Sequence, residues 1–183
     1  MLLQPSENWC WNYDRQQERL QLELSEDMIF VSSYSAKELI PAALENQRFS
    51  VEDTKSYYQL TEALLPLDWP VPLKVQLMLN SIAVQRFYKP KMPQSWFFTT
   101  SKHKFKPSFG QIVRLCSPVD SGFFLVIEAG DCASFCLLID ERMTLNPTKQ
   151  LNQFSVIKVM NDRLWQTEFS QDEDEHSLSL GIS

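Results

Sequence analysis

With 183 residues, 44% hydrophobic and 22% charged, and a formal net charge of -6, the chain can bury a core in one large or two small domains, which excludes disorder as the default. No run approaches the roughly 20 apolar residues that span a bilayer, and the first residues lack the basic and apolar regions of a secretory signal, so membrane insertion and export are set aside and a cytoplasmic protein is expected. Cys10, Cys116, Cys132 and Cys136 lie mostly in strand-like surroundings and fit reduced, packed thiols better than a disulfide scaffold.

Trp9, Trp11 and Tyr13 alternate with polar neighbours, and Leu20, Leu22 and Leu24 do so again after a polar turn, which predicts a hairpin. Met28 to Val31 adds a third strand, giving an antiparallel meander whose apolar face needs a cover. Ser35 to Glu38 reads as a capped helix start that Pro41 cuts short. Ser50 to Asp53 reads as a capping box opening a helix that runs through Leu65. After Pro66, Pro70 and Pro72, Leu73 to Tyr88 is apolar on more than one side and predicts a central helix stopped by Pro90 and Pro93. Beyond Trp96 come short β-prone runs at 97–99, 111–115, 123–127 and 134–139, then an alternating run at Val156, Lys158 and Met160. Their regular spacing predicts a small antiparallel barrel or sandwich. The fold class expected is therefore α+β: an N-terminal α/β domain over 1–92, a β-barrel-like domain over 93–166, and a loose acidic tail over 167–183.

Charge is segregated along the chain. Between Asp68 and Asp120 there is no acidic residue but eight basic ones: Lys74, Arg86, Lys89, Lys91, Lys102, Lys104, Lys106 and Arg114. Each flank carries -7. Within the basic band, residues 87–96 mix cations, prolines and large apolar groups, a composition suited to gripping another macromolecule, with lysines steering an acidic partner over roughly 8 Å at physiological salt. A solvated basic face beside a connector is the plainer reading of the same residues.

The residues of common catalytic and metal sites are sparse. His103 and His176 stand apart from any metal-ligand spacing, the four glycines form no phosphate-cradling loop, and there is no Gly-x-Ser-x-Gly elbow. No cofactor or metal is expected, and an enzyme is the minority reading. A nucleic-acid or anionic-surface module is the main alternative, because the basic band interleaves with Phe97, Phe98, Phe105 and Phe109. A pI near 5.0 and two acidic flanks argue against a polyanionic partner.

Three separated motifs carry a resemblance: Asn8-Trp9-x-Trp11-x-Tyr13-Asp14, Lys89-Pro90-x-Met92-Pro93-x-Ser95-Trp96, and Ile157-Lys158-x-Met160-Asn161-Asp162-Arg163-Leu164. In order and spacing they resemble the ZapC family of Z-ring-associated cell-division proteins along nearly the whole chain. The resemblance implies a non-enzymatic cytoplasmic protein at the mid-cell division site. It implies binding to the tubulin-like GTPase FtsZ, lateral bundling of its protofilaments, a stabilised Z-ring and slower GTP hydrolysis. It also implies partner contacts in the N-terminal domain and the basic junction, which by position nominates Lys89 and Lys91. Arg86, Tyr88, Trp96 and Leu22 complete the candidate set, Tyr88 and Trp96 as partly exposed anchors. Where the family pattern has a lysine before the Ser-Trp pair, this chain has Gln94. Two finer expectations follow: a recess among Trp9, Trp11, Leu22 and Phe30 that accepts a short apolar segment, with plain core as the competing reading, and a fold-back of Asp172 to Glu175 onto Lys102, Lys104 and Lys106. Self-association stays open.

Overall fold

Alternation at residues 9–13 and 20–24 builds two strands, β1 (Cys10–Asp14) and β2 (Arg19–Ser25), paired antiparallel with Trp11 opposite Leu22. The turn between them is held by Asp14 Oδ1, which accepts from the amides of Gln16 and Gln17 at 2.9 and 3.2 Å. The computed structural model describes residues 3–169, and the chain divides into two compact units between Pro90 and Lys91.

In the first unit β3 (Met28–Val31) continues the meander, and β4 (Gln47–Arg48) pairs with the far side of β1, giving the order β3-β2-β1-β4. Helix α1 (Val51–Leu64) starts at a capping box: the Asp53 amide donates to Ser50 Oγ at 3.0 Å and the Ser50 amide donates to Asp53 Oδ2 at 2.9 Å. Helix α2 (Val71–Phe87) has a proline in its first turn, where a missing N–H costs nothing, and is buried continuously from Leu77 to Val84. The core joins sheet to helices through aromatic edges: Trp9 meets Phe49 at 5.1 Å and Tyr57 at 5.9 Å, and Trp11 meets Phe87 at 5.8 Å.

The helix expected from Ser35 does not form. Pro41 leaves too few residues to repay helix nucleation, and residues 36–39 make a turn whose end bridges to the C-terminus of α2.

The second unit is a five-stranded antiparallel sheet in the order β10-β7-β6-β5-β11, with a separate hairpin of β8 (Arg142–Asn146) and β9 (Lys149–Asn152). The sheet strands are β5 (Ile112–Cys116), β6 (Ser121–Ala129), β7 (Ala133–Leu138), β10 (Val156–Met160) and β11 (Trp165–Gln166). Met143 and Leu145 of the hairpin share one apolar core with Val113, Leu115, Phe124, Val126 and Cys136 of the sheet, so the unit closes over itself as a barrel does, without a closed ring of strands among its described residues. The α+β class holds for the chain.

Three local expectations are corrected. Residues 97–99 are not a strand: a single 3-10 turn spans Ser95–Phe97, and Phe98 drops into the core. Cys132 is not packed beside Cys136. It is exposed in the turn before β7, while Cys136 lies fully buried, its thiol pushed up to about 12 by burial. Thr167 and Phe169 do not belong to a loose tail: the Thr167 hydroxyl donates to the Ile112 carbonyl at 2.8 Å, and Phe169 stands edge-on to Phe123 at 5.8 Å.

Candidate partner-binding surface

The candidate residues fall on both sides of the division between units, and each unit fixes its own. In the first, the end of α2 is clamped by the 36–40 turn. The Ile40 amide donates to the Phe87 carbonyl at 2.8 Å and the Lys89 amide to the Glu38 carbonyl at 2.9 Å. Tyr88 is thereby half-buried, edge-on to Tyr34 at 5.7 Å, with its hydroxyl 3.3 Å from Glu38 Oε2. Burial first, and then the Glu38 carboxylate, hold its phenol well above the usual tyrosine range. Lys89 follows, exposed, its ammonium resting 3.1 Å from the Lys37 carbonyl.

In the second unit, residues 91–96 run beside β10 and cover its open edge. The Gln94 amide donates to the Lys158 carbonyl at 2.8 Å, the Met160 amide to Ser95 Oγ at 2.8 Å, and Arg163 Nε to the Ser95 carbonyl at 3.2 Å. Lys91 is half-buried with Nζ 3.0 Å from the Val156 carbonyl. Met92 and Trp96 point out, 80% and 71% exposed, Trp96 leaning on Phe97 at 5.5 Å. An indole this open, held by a strap fastened along a strand, is a rigid apolar anchor presented to solvent.

Two candidates sit elsewhere. Of the four residues expected to form a recess, Trp9, Trp11 and Leu22 are buried, the two indoles against the rings of Phe49, Tyr57 and Phe87, and Phe30 is half-buried. Arg86 is turned inward: its Nη1 lies 2.6 Å from Asp53 Oδ2 and 2.6 Å from the Arg48 carbonyl. Asp53 is 5% exposed and also accepts from the Trp11 indole at 3.2 Å, so a single carboxylate ties β1, the α1 cap and α2 together. Nothing in the sequence marked Asp53 as more than a cap.

The basic band is therefore not one outward face. Lys74 is buried at 5%, its ammonium 2.9 Å from the Leu65 carbonyl, where it complements the C-terminus of α1. Arg86 is neutralised by Asp53. Lys89, Lys102, Lys104, Lys106 and Arg114 remain exposed, Lys89 on the first unit and the others on the second. Arg114 lies over the Phe123 ring at 4.9 Å. The expected fold-back of Asp172 to Glu175 lies outside the described residues. No group of three or more potential metal ligands occurs among the described residues, and none of their helices is long and apolar enough to cross a membrane.

Fold and surface together define a two-unit α+β protein whose second unit opens with a strap presenting Met92 and Trp96 to solvent. Residues 2–89 match the N-terminal model of the cell-division protein ZapC, and residues 90–170 match its C-terminal model. The cell division protein ZapC of Aeromonas hydrophila is 48% identical over 164 residues, covering 90% of this chain and 92% of the relative. That of Aliivibrio salmonicida is 42% identical over 164 residues, covering 89% and 92%, and that of Musicola paradisiaca 36% over 181 residues, covering 97% of each. The chain belongs to the ZapC family of cell-division proteins.

Proposed function

We propose that this chain is a non-enzymatic, cytoplasmic adaptor that acts at the mid-cell division site, where it binds FtsZ filaments, bundles them laterally, stabilises the Z-ring and slows GTP hydrolysis. The observation that carries this reading is the match of both ZapC family models in sequence order over residues 2–170. The surface supports it: Lys89 and Trp96 are exposed on backbone that is hydrogen-bonded in place, and Tyr88 and Lys91 stand half-exposed beside them in sequence. Arg86 and Leu22 enter as supports, the first by fixing the end of α2 through Asp53 and the second as a buried residue of β2 opposite Phe30 of β3.

Acidic filaments repel one another side by side. A molecule that brings cations between them lowers that repulsion, and an exposed indole adds dry contact area that charge alone does not supply. Bridging requires two contacts per molecule or self-association.

Co-sedimentation with GTP-polymerised FtsZ is the test. The chain should pellet with filaments, raise their light scattering and lower phosphate release, and a chain that stays in the supernatant at low salt sinks the proposal.

A further inference from the structure

The loop over 101–109 of the second unit carries Lys102, Lys104 and Lys106 exposed, while Phe105 between them is half-buried against the apolar core and Pro107 is buried. One end of the loop is pinned where the Ser101 amide donates to the Asp162 carbonyl at 2.7 Å, and the other turns into β5 at Gly110, whose φ of 83° suits a residue without a side chain. A groove of about 610 Å³ runs between Lys104, Phe105, Lys106 and Pro107 on one wall and Asp131, Asn161 and Asp162 on the other. The far wall is rigid: the Asn161 amide donates to the Cys132 carbonyl at 2.7 Å, its Nδ2 to the Gly130 carbonyl at 2.8 Å, and its Oδ1 accepts from Ser134 Oγ at 2.7 Å.

The charges of the two walls are not equally available. The Asp162 carboxylate is taken by Arg163 at 2.7 Å, whereas none of the three lysines has an ion-pair partner among the described residues. We infer that this groove docks an extended acidic peptide segment bearing one apolar side chain. The apolar group lies on Phe105 and Pro107, and carboxylates on one side of the peptide meet Lys104 and Lys106, with Lys102 prolonging the cationic edge. The Asp131 carboxylate, which has no ion-pair partner among the described residues, decides between a peptide and a nucleic acid: a phosphate chain is negative all along its length and is repelled there, while a peptide can keep its acids on the lysine side and turn backbone N–H groups to Asp131. The inference goes beyond the filament-binding reading, since it gives the second unit a docking site of its own and needs no identity for the peptide's owner.

A fluorescein-labelled peptide of glutamates flanking a central phenylalanine, titrated with the full chain and followed by anisotropy, tests it. Binding should weaken as salt rises from about 0.05 to 0.5 M, and Lys104→Glu with Lys106→Glu should weaken it by roughly tenfold or more. Both lysines are exposed, so the double variant should keep the wild-type melting curve. Replacing the phenylalanine of the peptide with serine should also weaken binding. Absence of binding, indifference to the lysine changes, indifference to the lost ring, or an equally charged single-stranded oligonucleotide binding as tightly as the peptide would each overturn the inference. No filament enters this assay, and Lys89→Glu should leave it unmoved while lowering FtsZ co-sedimentation, so either reading can fail alone.

Discussion

Arg86 shows how a residue chosen from sequence for its charge can be spent inside the fold. Its guanidinium is 25% exposed and its partner carboxylate 6%, and Asp53 has two further donors that are neutral. Removing the cation leaves a buried carboxylate underpaired, so Arg86→Ala should destabilise the first unit by about 3 kcal/mol, the low end for a broken buried pair because one partner still meets water. Arg86→Lys should restore part of that loss, and urea unfolding followed by circular dichroism measures both. A loss below about 0.5 kcal/mol, typical of a surface change, would show that Asp53 is held by its neutral donors alone. Lys89→Ala, by contrast, removes an exposed ammonium whose only hydrogen bond among the described residues is to a carbonyl, and belongs to the class of small effects.

At the scale of elements, the strands and helices with clear periodicity were legible: the β1–β2 hairpin from its period of two, α1 from its capping box, α2 from its breadth of apolar residues between prolines. What failed depended on tertiary partners. Ser35 to Glu38 has a local helix signal, but the backbone there is satisfied by α2 instead, and no local pattern announces that the Ile40 amide will find Phe87. The β8–β9 hairpin was missed because its strands, Arg142–Asn146 and Lys149–Asn152, are polar on the outer side and short. The exposed cations were legible as charge, yet burial of Lys74 under the end of α1 could only be seen once α1 and α2 were placed. The same packing sets a pH response. Tyr57 is pushed up to about 12 by burial and then by Tyr58, and Tyr34 is raised by burial and then by Tyr88 and Glu38. Unfolded tyrosine ionises near 10, so above that pH the unfolded chain holds fewer protons than the folded one and stability falls as pH rises; below it this contribution is constant. Melting temperatures measured from pH 8 to 11 should decline at the alkaline end, and Tyr57→Phe should make the decline shallower. An unchanged slope would place the alkaline loss on other groups.

For the whole molecule, the question is whether filament binding is carried by cations in general or by particular side chains. Acidic flanks give the chain a net charge of -6, so its far field repels an acidic polymer, and any attraction must come from local charges within about a Debye length. Lys89→Glu places a negative group where a positive one stood without removing a buried contact, and Trp96→Ala removes an indole that is 71% exposed. Both variants should melt with the wild type, yet they should differ in the salt dependence of co-sedimentation with FtsZ. Lysine reversal should abolish pelleting near 0.05 M salt, where the electrostatic contribution is largest, whereas Trp96→Ala should lower pelleting by a similar fraction at every salt concentration, because apolar contact is not screened. Pelleting of the Lys89→Glu variant at the wild-type level would remove that lysine from the contact and leave the exposed loop of the second unit as the cationic surface to test next. Equal salt curves for both variants would mean that charge and ring act through one shared contact and are not separable in this way.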